Sequence, residues 1–467
     1  MKLKNIVIAG ATGFIGRNLL YTLKTNPQYQ LIALSRRIDP FMHNSTKDNI
    51  LWRKCDGFNY DEVMEATSNC DILIYLIHSM LPTASLAQGN FEDFDLIVAD
   101  NFAKAAAHNK ISQIIYMGGL MPDLPTSKLS SHLRSRLEVE NVLAQYNNVL
   151  TTLRAGLVIG SNGSSYVILE KLIKRLPILL CPLWTQNRMQ PIALRNLLEI
   201  FQYCLSNLET IKNKTFDIGA LESTSYRELL VTAARVFNLK RWFISIPILS
   251  TSLSQFWVAL VTGTSKELVF PLVKSLEHEM LINENRRLTI PGQKILDAEA
   301  ALMECKNSIK SNSKELVNNP TTVLSRIKNV TSIQRLNGNQ HLSAKELCEY
   351  YTQWLNKKFR IFIKIREDEL AIYFVLLKHI TLLKLQKPAP STTYDERYAY
   401  TIESGFLVSR FEKSGHFEFR KIPSQKCFIM GIYNYNPSLP WFIYRATQAL
   451  VHLWVMKRFI KWMQKSN

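Results

Sequence analysis

The chain opens on a change of hydrophobic period. Asn5-Ile6-Val7-Ile8-Ala9 is a short apolar run, and after it Ile15, Leu19, Leu20 and Leu23 recur at helical spacing. Such a switch predicts a buried strand feeding an amphipathic helix. The alternation continues. Gln30–Ser35, Ile50–Lys54, Asp71–Ile77, Ser112–Met117 and Val149–Leu153 read as strands, the last leaving through Gly156–Ile159. Helical patterns at Asp61–Ser68, Phe91–Asn109 and Ser131–Gln145 lie between them. Apolar strands without a polar face, alternating with helices through short links, predict an α/β fold with a doubly wound parallel sheet over 1–160.

The next stretch mixes both periods. Glu170–Leu179 reads as a helix and its apolar exit, Leu194–Ser206 as a helix and Thr215–Ile218 as a strand. Ser225, followed three residues later by Glu228, marks a helix start. Residues 247–282, with Trp257, are helical and apolar, either the wall of a lipophilic pocket or plain helix–helix core. From Cys305 to Gln340 the chain is rich in Asn, Ser, Lys and Thr, with turn signals at Asn319-Pro320 and Asn337-Gly338. Residues 305–342 therefore read as a linker with one helix near Val323–Ile327.

Beyond Ser343 the period becomes two. Phe359–Arg366, Tyr398–Ile402, Gly405–Phe411 and Phe417–Ile422 alternate, Lys413-Ser414-Gly415 suits a hairpin turn, and Cys427–Tyr435 is a further strand. Pro440–Met463 reads as one long helix. Residues 343–467 are thus expected to be a C-terminal α+β domain, an antiparallel sheet closed by a terminal helix. That arrangement resembles the START-like helix-grip folds, which often hold an apolar ligand between sheet and helix. The wide apolar face of the helix and its basic residues Arg445, Lys457, Arg458, Lys461 and Lys465 suit two roles. One is the plug of such a sheet, favoured by length and position; the other is an interfacial membrane helix.

Composition narrows the class. The 467 residues are 47% apolar and 20% charged, a globular balance with room for two or three domains. The net charge is +19, and from Cys305 onward 26 Lys and Arg face 11 Asp and Glu, a local +15. A basic surface of this kind meets nucleic acid, anionic lipid or an acidic partner, or merely keeps a face solvated. No nucleic-acid module signature is present, so no nucleic acid is expected. No apolar run is long enough to predict a spanning helix. Seven scattered cysteines, at 55, 70, 181, 204, 305, 348 and 427, form no metal-type spacing, and no leader precedes Asn5. The expected setting is the reducing cytoplasm, with peripheral contact at the inner face of the membrane open through the basic C-terminal third.

The chemistry concentrates at Gly10-Ala11-Thr12-Gly13-Phe14-Ile15-Gly16. Gly10 lets the chain turn off the strand, Gly13 lets a pyrophosphate approach the backbone, and Gly16 lets helix and sheet pack closely. The diphosphate then lies at a helix N-terminus, where N–H groups and the helix dipole favour negative charge. The bland alternative is a purely structural βα turn. The second strand ends in Ser35-Arg36-Arg37, where an acidic residue would bind a ribose 2′-hydroxyl. Two guanidinium groups suit a 2′-phosphate instead, which favours NADP(H) over NAD(H), unless they only solvate a loop. His78 follows the fourth strand at the carboxyl edge that lines the ligand crevice, either near a dinucleotide or as a capped loop histidine.

With GATGFIG at 10–16, Asp56 after the third strand and LRAGLVIGSNGSS at 153–165, the chain resembles the extended or atypical short-chain dehydrogenase/reductases, with a Rossmann sheet. YLIHSM at 75–80, YMGGL at 116–120, HLRSRLEVE at 132–140, RLPILLCPLW at 175–184, QPIAL at 190–194 and WVALVTG at 257–263 resemble a narrower bacterial group that adds a C-terminal domain of unknown function. The likeness spans roughly 1–300. It implies a substrate-side subdomain over 161–304. In that family a Tyr-x-x-x-Lys pair after the fifth strand, helped by a serine, moves the proton. Here Gly118-Gly119 stands at the strand end and His132-Leu133-Arg134-Ser135-Arg136 in the helix. Arg136 can bind ribose or phosphate but does not deprotonate. His132 is a general acid near neutral pH or an ordinary surface residue.

The resemblance implies that Gly10, Thr12, Gly13, Phe14, Ile15 and Gly16 hold the diphosphate, Arg36 and Arg37 the 2′-phosphate, and Asp56 the adenine. Leu76, His78 and Gly118 would flank the nicotinamide. The expected function is an NAD(P)(H)-binding protein of this type, an oxidoreductase on a small or lipophilic carbonyl-type substrate. The alternative is a non-catalytic NADP(H) redox sensor or a scaffold for a lipid, quinone or partner. No metal site is expected.

Overall fold

The computed structural model describes residues 3–37, 49–78, 86–146, 148–246, 255, 258–259, 261–263, 266–311, 329–377, 379–388, 396–409 and 415–465. The expected helix near Val323–Ile327, Ser79-Met80, Trp257 and Lys413-Ser414 lie outside them. The chain forms two compact units. One comprises Met1–Met80 and Val98–Thr322, the other Leu81–Ile97 and Val323–Asn467.

The first unit is built on seven strands: β1 (Lys4–Ala9), β2 (Tyr29–Ser35), β3 (Ile50–Lys54), β4 (Ile72–Tyr75), β5 (Gln113–Gly119), β6 (Leu150–Ala155) and β7 (Thr215–Ile218). Their order is β7-β6-β5-β4-β1-β2-β3, and every neighbouring pair is parallel. The order reverses at β1, where the sheet opens a crevice at the carboxyl ends of the strands. This is the doubly wound Rossmann sheet that the alternating pattern predicted. Ile6, Val7, Ile8 and Ala9 are wholly buried, as a parallel sheet covered on both faces requires. Helix α1 (Phe14–Leu23) turns Leu19, Leu20 and Leu23 into the core.

Helix α2 (Tyr60–Ala66) starts where the Asn59 side chain accepts from the backbone N–H groups of Asp61 and Glu62. Helix α3 (Phe91–His108) joins β4 to β5 in the chain, and helix α4 (Ser131–Leu143) is capped by the Ser130 hydroxyl, which accepts from Leu133 N at 3.3 Å. The strand expected over Asp71–Ile77 is shorter, ending at Tyr75, where the Leu76 N–H makes the last ladder bond to Ala9 O of β1.

The rest of this unit is small helices and paired short strands. Ser225 and Glu228 form the expected reciprocal cap on the helix Tyr226–Val236. Gln190 is a buried lock: its Nε2 donates to Ala220 O and Leu221 O, and its Oε1 accepts from Ile282 N. Asp217 is another, accepting from Asn283 N and the Arg286 guanidinium. After the helix Ser164–Arg175 the chain forms a strand at Ile178–Pro182, where the sequence suggested only an apolar exit from the helix. Pro177 cannot donate into a helical ladder and breaks it.

The second unit is a mixed sheet with helices on it. Its strands are β8 (Val330–Asn337), β9 (Ile363–Glu367), β10 (Ala371–Leu376), β11 (Ile380–Gln386), β12 (Arg397–Ser404), β13 (His416–Ile422) and β14 (Cys427–Tyr435). They run β9-β10-β11-β12-β13-β14-β8 and are antiparallel. The segment Leu86–Gln88, far away in the chain, adds a parallel strand beside β8. Strand β8 falls within the span that the sequence suggested as linker.

Helices α5 (Ala344–Lys358), α6 (Trp441–Ala446) and α7 (Gln448–Lys465) complete this unit. The sequence predicted one terminal helix; the structure breaks it at Thr447, whose φ of −126° and ψ of −83° leave the helical region. Gly405–Phe411 was expected to continue the alternation, yet the chain turns at Gly405, whose φ is +136° and whose missing Cβ would meet Leu382 O at 2.2 Å. Tyr351, Trp354, Phe417, Phe419 and Phe459 fill the space between helices and sheet with edge-on and tilted ring contacts.

Candidate functional site

The glycine turn is built as an anion seat. Gly10 has φ +92°, which a side chain would strain, and a Cβ there would meet the Leu76 carbonyl carbon at 3.0 Å. Gly13 N donates to Gly10 O at 3.0 Å and closes the turn. Gly13 is exposed and is the N-cap of α1, and it has no side chain to cap the first N–H groups of that helix. A Cβ on Gly16 would lie 2.3 Å from Gly10 O, so only glycine brings the helix this close to the strand exit. The arrangement leaves unshared backbone donors and the positive end of a helix dipole facing the crevice. These residues fit a diphosphate group.

Thr12 and Ile15 are half-buried beside this turn. Phe14 serves it from behind. Its ring occupies the space over Gly160 and Gly163, where Cβ atoms would meet it at 2.7 and 2.9 Å. The GSNG stretch noted in the sequence is therefore a platform for Phe14, a packing role that residue spacing alone did not suggest.

Arg36 and Arg37 are exposed at the end of β2. The Ser35 hydroxyl donates to Arg37 O at 2.6 Å, a local loop that holds the dibasic pair at the carboxyl edge. Asp56 follows β3 and is half-buried; its Oδ1 accepts from Phe58 N at 3.2 Å, and its own N–H donates to Glu62. The adjacent Cys55 thiol is pushed up to about 12 by burial and by the Glu62 and Asp56 carboxylates.

Two histidines meet at the other end of the crevice. His78 Nε2 and His132 Nδ1 are 3.2 Å apart, with ring centroids at 4.9 Å. Their separation in the chain is 54 residues, so sequence spacing could not pair them. Arg136, one turn along α4 from His132, is 6% exposed. Its guanidinium donates to Met117 O and, at 3.4 Å, to Ile77 O, and lies over the Tyr116 ring at 4.9 Å. Tyr116 in turn donates from its hydroxyl to Arg136 O at 3.1 Å. The cation thus ties the carboxyl ends of β4 and β5 together, with Tyr116 as a supporting ring that sequence reasoning passed over.

Leu76 and Gly118 lie at the same strand ends. A Cβ at Gly118 would meet the Tyr116 ring at 3.2 Å and Thr152 at 3.3 Å. At Gly119 the nearest atoms are 3.8 Å away, so the lack of a serine there is not forced by packing. Among the described residues no group of three or more His, Cys, Asp or Glu side chains is placed to hold a metal ion.

The stretch 10–171 matches a family model described as NAD(P)H-binding. A curated relative, the auxiliary protein GraX of Staphylococcus aureus, is 26% identical over 266 residues, covering 50% of this chain and 83% of GraX. Two solved structures cover 65% of this chain and all of their own, each with a TM-score of 0.50. They are the Citrobacter sp. triphenylmethane reductase complexed with NADP(H), 14% identical, and an NADPH-dependent quinone oxidoreductase from Escherichia coli complexed with NADPH, 16% identical. Seat and sheet order agree with that match: residues 10–171 resemble an NAD(P)H-binding domain, and the first unit has the fold of the two NADP(H)-bound reductases.

Proposed function

We propose that the chain binds NADP(H) in preference to NAD(H) and acts as an atypical oxidoreductase on a small or lipophilic carbonyl-type substrate. The observation that carries this reading is the unshared N-terminus of α1 behind Gly10, Gly13 and Gly16, with two exposed arginines at the end of β2. In this reading the turn and Thr12 bind the diphosphate, Arg36 and Arg37 the 2′-phosphate, and Asp56 lies toward the adenine. A bound nicotinamide would supply or accept hydride. Leu76, His78 and Gly118 flank that end, and Arg136 fixes its floor. His132 holds the proton that a reduced carbonyl oxygen takes up, and His78 orients its ring. Titration with NADPH and NADH, followed by nicotinamide fluorescence, tests the preference: the reading expects NADPH to bind at least tenfold tighter, and equal affinities would defeat it.

A second reading is favoured by the absence of the Ser-Tyr-Lys set and by a relative named as an auxiliary protein. In it the dinucleotide is a bound redox signal, and the C-terminal unit engages a lipid, quinone or partner. Tight NADPH binding without oxidation across a broad carbonyl and quinone panel supports this alternative; turnover abolished by His132→Ala removes it. We place the protein in the cytoplasm under either reading, with its basic C-terminal third open to peripheral contact at the inner membrane face.

A further inference from the structure

Helix α7 carries two apolar faces, and the fold uses one. Ala449, Met456, Phe459 and Met463 are buried in the core of the second unit. Leu450, Val451 and Trp454 point elsewhere and are 57%, 58% and 47% exposed. Phe442 on α6 is exposed as well. Phe359, at the end of α5, packs edge-on against Trp454 at 5.8 Å, and directly beyond it Ile361 and Phe362 project into solvent. A helix that only plugs a sheet has a polar outer face; on α7 that face is mixed, with Leu450, Val451 and Trp454 exposed toward its start and Lys457, Arg458 and Lys461 further along.

The segment that carries α6 and α7 has one sign of charge. From residue 419 to 467 there are eight Lys and Arg and no Asp or Glu. Lys457, Arg458 and Lys461 on α7, and Lys357, Lys358 and Arg360 at the end of α5, are exposed. Arg458 lies over the Trp454 ring at 4.9 Å, so cation and aromatic share one spot. A field of cations among exposed aromatic and aliphatic side chains matches a surface of uniform negative charge with an apolar interior. Such helices lie in the plane of the interface, apolar groups at headgroup depth and cations at the phosphates. Trp454 suits that depth.

We propose that the outer face of α6 and α7, with the Ile361-Phe362 loop, docks on an anionic lipid bilayer. This deepens the peripheral contact included in the functional reading by naming its surface, and it stands whether or not the dinucleotide site turns over. The test is sedimentation of the full chain with phosphatidylcholine vesicles, alone or with about a third phosphatidylglycerol. Binding is expected to the anionic vesicles, at least tenfold weaker to neutral ones, and weakened by salt.

A Leu450→Gln/Val451→Gln variant and a Lys457→Gln/Lys461→Gln variant should each lose about tenfold in vesicle affinity, with unchanged thermal melting and NADPH binding. Brominated lipid should quench wild-type tryptophan fluorescence more than that of Trp454→Phe, which keeps an aromatic ring beside Phe359. The proposal is overturned by absence of binding to anionic vesicles at low salt, by equal binding to neutral ones, or by a Leu450/Val451 variant that binds as wild type. Tighter binding to a single-stranded RNA than to the vesicles overturns it too.

Discussion

His78 Nε2 lies 3.2 Å from His132 Nδ1, so two imidazoles, one from the exit of β4 and one from the start of α4, are within hydrogen-bonding distance of each other. The reading gives His132 the proton-donor role and His78 a positioning role. In the NADPH-dependent turnover of a carbonyl substrate, His132→Ala should lower kcat by about 100-fold or more. His78→Ala should lower it less, about tenfold, and shift the pH profile, and His132→Ala should keep wild-type NADPH affinity. Equal activity in all three proteins would remove the pair from the chemistry.

The dibasic end of β2 carries the cofactor choice. Arg36→Ala/Arg37→Ala should weaken NADPH by at least tenfold and leave NADH near its wild-type affinity, because only the 2′-phosphate is lost as a partner. Isothermal titration with both nucleotides separates this from a general loss of the site.

Arg136 is expected to matter for stability. Its buried guanidinium serves the carbonyls of Met117 and Ile77 and the Tyr116 ring, and Arg136→Met would leave both carbonyls unserved. The expected cost is about 3 kcal/mol, from hydrogen bonds to a charged group and a cation–π contact. Urea unfolding measures it.

The thiols give a pH dependence with a definite sign. Burial pushes Cys55, Cys204, Cys305 and Cys348 up to about 12 and Cys70 to about 11, against an ordinary 9. The folded chain therefore keeps protons that the unfolded chain gives up above pH 9, so these groups lower stability as pH rises from about 9 toward 12. Below pH 9 both states hold the protons and the contribution is flat. Native protein should resist iodoacetamide at pH 8, and all seven thiols should react in denaturant; rapid native labelling at Cys55 would contradict the burial.

Much of the first unit was legible because parallel sheets write themselves as apolar runs between helical periods. The βαβ opening, the strand ends at Ser35 and Gly118, and the glycine turn all follow from local pattern. The partners that complete the site were not legible, since nothing local links Phe14 to Gly160, His78 to His132, or Arg136 to Ile77. In the second unit, alternation revealed β9, β12, β13 and β14. The pattern did not foresee Gly405, where a positive φ ends the run, or Thr447, which splits the terminal helix. Nor could it foresee that Leu86–Gln88 pairs with β8, because that ladder joins segments some 240 residues apart.

The central claim is that the first βα crossing seats the dinucleotide's diphosphate. Gly13→Asp tests it most directly: a Cβ there meets Gly10 O at 3.1 Å, a tight contact relieved by a small shift of the turn, and a carboxylate then occupies the seat. Calorimetric titration with NADPH should show one site per chain in the wild type and none in a variant whose melting temperature is unchanged. A folded Gly13→Asp protein that binds NADPH as the wild type does would contradict the account.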